Sequence, residues 1–484
     1  MWRATVVVLG ALLFTASCGE QFTDDDSFTV KTTGDLERLA RVTAVRGDLI
    51  IANNDALTDL NLPALTEVGG DLIIWNNDAL TVIDLPRLTE VGGILLIAGN
   101  NALPVIDLPV LTELGGDLFI GLPRLTGVRG RLLLAGNNAL RVIDLPVLTE
   151  VGGKLVIGNN SVLTTVDLPQ LTEMGGILEI AGNNALPAID LPVLTEGGGD
   201  LLIRDNSALA AIDLPQLTDV SGILEIAGNN ALSAIDLPVL TEVGDDLVIG
   251  NNSALKAIDL PRLGEVSGSL TIRDNSALTA LDLPALTEVG GSLAIEDHDA
   301  LPIIDLPTLT EVIGDLTIRD SDALTALDLP ALTRVGGILS IGEWGIAHSS
   351  GNDALTALDL PALTEVGGAL GILFNHALNV LELPALTEVG DLFFWDNEAL
   401  TAIDLPRLAR VGGRLGIGES GFLYSSGEDA LTVIDLPALT EVGGNLVLRF
   451  NAALCQSIVD AIVAKLRGAS WTGDEKTDGN NPNC

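Results

Sequence analysis

Basic residues are scarce in this chain. It has 24 lysines and arginines against 66 aspartates and glutamates, a formal net charge of -42. So negative a surface makes nucleic acid and anionic lipid poor partners and points to cations or basic partners instead. Aromatics amount to 3%, with Tyr424 the single tyrosine, so the places where rings gather carry information. The three histidines, His298, His348 and His376, have no cysteine or serine at a recognisable motif spacing, and no catalytic motif stands out. Cysteine is equally rare: Cys18, Cys455 and Cys484.

What the chain has in abundance is one unit. The stretch 70–92, GDLIIWNNDALTVIDLPRLTEVG, is copied along nearly the whole length, and its proline returns every twenty-third residue, as at Pro63, Pro86 and Pro109 and from Pro146 through Pro330. A fixed period of this size means a repeat architecture, so 484 residues form one long domain. Within the unit, Leu72 and Ile74 alternate with Ile73, and Ile83 and Leu85 with Asp84, the period of two of short half-buried strands. Asn76, Asn77, Asp78, Pro86 and the paired glycines supply turns, about three to each unit. One unit alone leaves its strand edges unpaired and its leucines exposed, so successive units must stack about 4.8 Å apart.

The pattern GxLxIxxNxAL followed by xxIDLPxLTEVG, from about Leu39 to Leu454, resembles the receptor L-domain superfamily, most closely its fungal cell-wall and bacterial lipoprotein relatives. The resemblance implies an all-β fold, a right-handed single-stranded β-helix of ~23-residue rungs related to leucine-rich repeats, with short helical caps at both ends, displayed outside the cell. A true leucine-rich repeat is the competing fold, since LxIxxNxAL echoes its core; the two glycines before Leu72 fit the L-domain better.

In chain order, residues 1–17 hold one basic residue, Arg3, an apolar run from Ala4 to Phe14, and the small residues Ala16 and Ser17. That reads as a signal peptide, and the run is too short to span a membrane in the mature protein. Cys18 after two small residues resembles a bacterial lipobox, which implies lipidation there; Thr15 departs from the usual leucine, and ordinary cleavage nearby is the alternative. Residues 18–33, with Asp24, Asp25 and Asp26, read as an acidic tether. Residues 34–46 read as a cap, with a short helix over Asp35 to Arg41, residues 47–454 as the solenoid, and residues 455–484 as a helical cap and tail. Ile458, Ile462 and Leu466 give the exit helix its fourfold spacing. In an exported protein Cys455 and Cys484 are expected to pair, with two free thiols as the alternative.

The period breaks in three places. Pro123 follows Pro109 by fourteen residues, which predicts a kink, a flattened rung or a protruding splice near Gly121 to Gly130. Two units run to thirty-one residues, Pro330 to Pro361 and Pro406 to Pro437, and their additions resemble each other: GEWGIAHSSGN from Gly342 and GESGFLYSSGE from Gly418. Both enter at the asparagine corner, three rungs apart.

Stacking turns each position into a column. Asp84, Asp107, Asp144 and Asp167 begin one acidic column, and Glu67, Glu90, Glu113 and Glu150 another. Calcium between neighbouring carboxylates would relieve their repulsion, but side-by-side carboxylates do not offer six to eight converging oxygens, so a solvated acidic face is preferred and no cofactor is expected. The asparagine column from Asn54 to Asn275, interrupted by His298 and Ser321, reads as structural hydrogen bonding up the stack. Parallel β-helices host polysaccharide lyases and hydrolases, yet a catalytic carboxylate pair is singular, whereas these recur in equivalent surroundings; the chain is read as non-enzymatic.

Two surfaces remain for binding. One is the outward column of the first strand, an apolar stripe of Ile50, Ile73, Leu96, Phe119, Leu133 and Val156. The other is the pair of insertions with Trp344, His348, Phe422 and Tyr424, joined by Phe374 and Trp395 from the rungs between. The expectation is a lipid-anchored protein of the bacterial cell envelope, at the outer membrane or cell surface, that binds a glycan or protein there without chemistry. A purely structural envelope rod is the alternative.

Overall fold

The computed structural model describes residues 27–93, 95–103, 113–114, 127–128, 132–342, 351–418, 428–482 and 484, leaving aside the side chains of residues 33, 98, 113–114, 127–128 and 133. The fold is a parallel β-solenoid with three strands to a rung. In one rung these are Leu72–Trp75, Val82–Asp84 and Glu90–Val91. The third strand, two residues long, was not foreseen. Leu72, Ile74, Leu80, Ile83, Leu85, Leu88 and Val91 all point inward and are buried, and the same positions of most described rungs join them in one continuous core. Each rung thus completes its neighbours' core rather than its own.

Register is one repeat per layer, every pairing parallel: Leu49↔Leu72↔Leu95 and Asp59↔Val82, with Glu67↔Glu90 on the third wall. Sequence sets this register twice at the corners. After the long strand the backbone turns through a left-handed residue, which is Asn53, Asn76, Gly99, Gly136, Asn159, Gly182, Asp205 and Gly228 in successive described rungs (φ between 52° and 69°), the residue types that tolerate that conformation. Before the long strand, consecutive layers come so close that a Cβ on Gly92 would run into the carbonyl oxygen of Gly69, whose neighbour Val68 accepts the Gly92 N–H at 2.7 Å.

Next to the left-handed corner runs the buried asparagine ladder. Asn206 donates from Nδ2 to the carbonyl of Ile180 (2.8 Å) and accepts the backbone N–H of Asn183 on Oδ1 (2.9 Å). The column was expected to be structural, and its bonds are of that kind. It continues past the interruptions at His298 and Ser321 through Asn352, Asn375, Asn397, Glu428 and Asn451 to Asn480, all buried. His298 keeps the ladder's bond with its Nε2 against the carbonyl of Ile272 (3.2 Å), and burial pushes its pKa down.

Around the short spacing, Gly121 and most of its neighbours lie outside the described residues. Across the gap, Asn138 donates to Asn101 at 2.8 Å and Asn137 approaches the carbonyl of Ile97 at 3.5 Å. The short unit therefore adds no layer at this corner, although Glu113–Leu114 and Gly127–Val128 both stand in the third-strand column.

Both ends are closed. Strand Phe28–Val30 pairs with Leu49–Ile51, so part of the stretch read as a tether belongs to the solenoid, and its boundary at residue 33 is corrected: Val30 is already core. Helix α1, Thr33–Leu39, follows, with the carboxylate of Asp35 accepting the backbone N–H groups of Lys31 and Thr32. At the other end helix α2, Gln456–Gly468, buries Val459 and Leu466, Glu475–Lys476 pairs with Leu446–Val447, and the Cys455–Cys484 disulfide ties the tail down.

Candidate functional site

Most of the long-strand wall has one dry face. In Leu72–Trp75 and Leu155–Gly158 the first and third residues are buried and the second is half-buried on the outside. Ile50, Ile73, Leu96 and Val156 all occupy that outward column; Phe119, and the side chain of Leu133, lie outside what is described. Glu179 and Glu225 continue the same column beyond Val156 and end the stripe there. Lys154 and Arg204 bracket Glu179 at 2.8 and 2.6 Å, and the carboxyl of Glu179 is held below its usual range: burial opposes this, but the two cations outweigh it. Beside Arg204 an open depression of about 600 Å³ is lined by Asp205, Glu225, Asn230, Asn251 and Asp274.

Between the two insertions the wall changes. In Leu339–Ile341, Leu370–Leu373, Leu392–Trp395 and Leu415–Gly418 every residue is buried, on the outer face as well as the inner. The outward column here reads Ser340, Gly371, Phe393, Gly416. Phe393 fits because glycine stands on either side of it: a Cβ on Gly416 would lie 3.0 Å from its ring. Phe393 and Trp395 meet at 4.7 Å between ring centroids, tilted by 45°, and with Leu373 they form an apolar cluster of their own outside the core, with Phe374 and Ala369 packed against it. The Arg414 guanidinium lies 5.6 Å from the Phe393 centroid. Phe374 takes the left-handed corner position (φ 55°) that asparagine, aspartate or glycine holds in most rungs, a strained place for a ring.

The insertions are rooted in one column. Ile341↔Ile372↔Phe394↔Ile417 are in register, so the roots stand three layers, about 14 Å, apart on the same edge. Gly342 and Gly418 begin the two departures with φ of 98° and 100°, and a side chain on either would strike the next layer's backbone. Trp344, His348, Phe422 and Tyr424 lie outside the described residues. Of the candidates that are described, Trp395 is 9% exposed and Phe374 half-buried. Trp395 is therefore a floor of the patch, not a ring presented to solvent. Phe393 and Glu428 went unrecognised in the sequence; aligning the rungs would have shown Phe393 flanked by Gly371 and Gly416.

Electrostatics around the patch are eased locally. Arg334 stands between Glu311 (2.6 Å) and Glu365 (3.7 Å), and Arg410 between Glu388 and Glu441 (3.1 Å), so arginine replaces glutamate in the acidic column close to both insertions. On the opposite wall the aspartates stay in register, Asp236↔Asp259↔Asp282. Burial, then the neighbouring aspartates, push the carboxyls of Asp259 and Asp328 up. Among the described residues no three His, Cys, Asp or Glu side chains are grouped to hold a metal ion, and no helix is long and apolar enough to cross a membrane.

The fold and this patch define a parallel β-solenoid whose outer wall, among the described residues, is broken by an aromatic cluster. No family model matches the chain, and no curated protein matches it. Among solved structures, one described as the crystal structure of a TLR13–ssRNA13 complex is similar at 13% identity, covering 92% of this chain and 86% of that one, with a TM-score of 0.14. At that score the likeness carries no argument.

Proposed function

We propose that the protein is a non-catalytic binding or adhesion module of the bacterial cell envelope, anchored by lipid at Cys18, that takes a glycan or protein partner at the edge bearing the two insertions. The observation that carries this reading is that in residues 339–341, 370–373, 392–395 and 415–418, and in no other strands among the described residues, the outer wall becomes aromatic and dry between two insertion roots set in one column. A wall meant only to span distance has no need of Phe393 and Trp395 outside its core. Buried rings fix a rigid base, and the insertions contribute aromatic residues beside small serines and glycines, a composition that suits stacking on a sugar or gripping a peptide. The repetition of equivalent carboxylates along the acidic walls favours a surface without chemistry over a catalytic pair. It also suits a cationic or neutral partner more than nucleic acid.

The test is a glycan array together with a pull-down from envelope extract, using the purified protein. Retention of a defined glycan or protein, weakened by Trp344→Ala or Tyr424→Ala with thermal stability unchanged, is the expected result; no retention leaves the structural-rod reading. The anchor is tested separately. Cys18→Ser should leave the protein unprocessed or release it from the detergent phase, and unchanged membrane attachment in that variant would remove the lipid from the account.

A further inference from the structure

The asparagine ladder contains one carboxyl. Where the first insertion rejoins the wall at Asn352, the second rejoins it at Glu428, which is fully buried. Asparagine does two things at this position: Oδ1 accepts a backbone N–H of the preceding rung, and Nδ2 donates to a strand carbonyl of that rung. Glu428 does the first. Its Oε2 accepts the backbone N–H of Asn397 and its Oε1 accepts the Asn397 Nδ2, both at 3.0 Å. The second task needs a hydrogen, and an ionised carboxylate has none. The carbonyl at the equivalent place belongs to Phe394, set by the Phe394↔Ile417 register.

Beyond Glu428 the ladder falters. Asn451 in the next rung is fully buried, yet its Oδ1 has no hydrogen-bond partner among the described residues. Its Nδ2 donates to Asn480 Oδ1 at 3.2 Å and reaches the carbonyl of Ile417 at 3.4 Å, longer than the 2.8 Å of Asn160 to Leu134 and close to the 3.5 Å of Asn137 to Ile97. Among the described residues, the charged groups acting most on Glu428 are Asp396 of the preceding rung, itself buried, and the chain neighbour Asp429, both of like sign. The following rung presents the neutral Asn451.

We propose that Glu428 is a proton-operated latch: neutral, it fills the asparagine's place and holds the Asn397 corner shut; ionised, it lets go of that corner and of the adjoining Phe393–Trp395 floor. Burial, joined by the like charges, outweighs the two bonds from Asn397, which favour the ionised form, and pushes its carboxyl up to about 8, which places the device in an accessible range. The latch does not depend on the binding reading, although it sits at the root of the second insertion.

The direction follows from proton linkage. The closed corner keeps a proton that an open, solvated Glu428 gives up above its ordinary value of 4.5, so closure weakens as pH rises from there to about 8 and is insensitive beyond. Hydrogen exchange of residues 392–397 in the full protein, corrected for the intrinsic rate, should show opening that increases by about tenfold per pH unit up to about pH 8 and then levels off. Glu428→Gln and Glu428→Asn, the latter placing the ladder's usual residue there, should flatten the profile. A flat wild-type profile, or the same slope in both variants, would overturn the latch. Infrared spectra of the wild-type protein give an answer that needs no variant: a protonated-carboxyl band at pH 6.5 that is lost by pH 9.5 supports it, and absence of the band at pH 6.5 refutes it.

Discussion

Asn206 shows how much one side chain of the ladder does. Its amide satisfies a buried carbonyl of Ile180 and a buried N–H of Asn183 at once, and neither group has water to fall back on. Asn206→Ala should therefore lower stability in urea unfolding by about 2–4 kcal/mol, since it loses the bonds and strands both partners. The exposed Asn230, which accepts from Ser253 at 3.1 Å, should change stability by less than about 0.5 kcal/mol when made alanine. Equal effects at the two positions would contradict the ladder's importance. The buried column was legible up to Asn275 because the period marks it. Asn352, Asn375, Asn397 and Glu428 were not placed in it because thirty-one-residue and twenty-two-residue steps shift them off the count. The left-handed corner was legible as asparagine, aspartate and glycine, and Phe374 and Phe450 break that rule.

At the scale of the rung, the close corner decides what is tolerated. A Cβ on Gly290 would run into the carbonyl oxygen of Ser267, a backbone atom locked by stacking on both sides, so Gly290→Ala should destabilise by about 1–3 kcal/mol. Gly197 is the opposite case. It occupies a column position filled by Val151, Met174 and Val220 in neighbouring rungs, and a Cβ there would meet Val220 at an ordinary 3.4 Å. Gly197→Val should raise stability by about 1 kcal/mol, read as an upward shift in melting temperature; a loss would mean that this wall is not packed as described. Two strands of the rung could be read from alternation, but Glu90–Val91 is too short to alternate. The strand Phe28–Val30 was hidden because an acidic run precedes it and only its stacking partner, Leu49–Ile51, identifies it.

For the molecule as a whole, the regular rungs explain stability and the irregular ones point to use. Acidic columns in register along two walls keep the surface negative over its length and discourage edge-to-edge association of copies through repulsion. Arg334 and Arg410 break that pattern beside the insertions, and the aromatic floor breaks the long-strand wall between them. Sequence revealed the insertions because the period stalls there, and revealed their shared edge because their offsets match. It could not reveal that Trp395 is buried, because its outward fourth position in the strand gives no sign of cover. The measurement that tests the central claim compares the wild-type protein with one in which residues 343–350 and 419–427 are deleted, by retention of envelope glycans or proteins on the immobilised chain. The account predicts that the deletion abolishes retention while the melting temperature stays within about 3 °C, because the rungs close through their own columns; full retention by the deleted protein would contradict it.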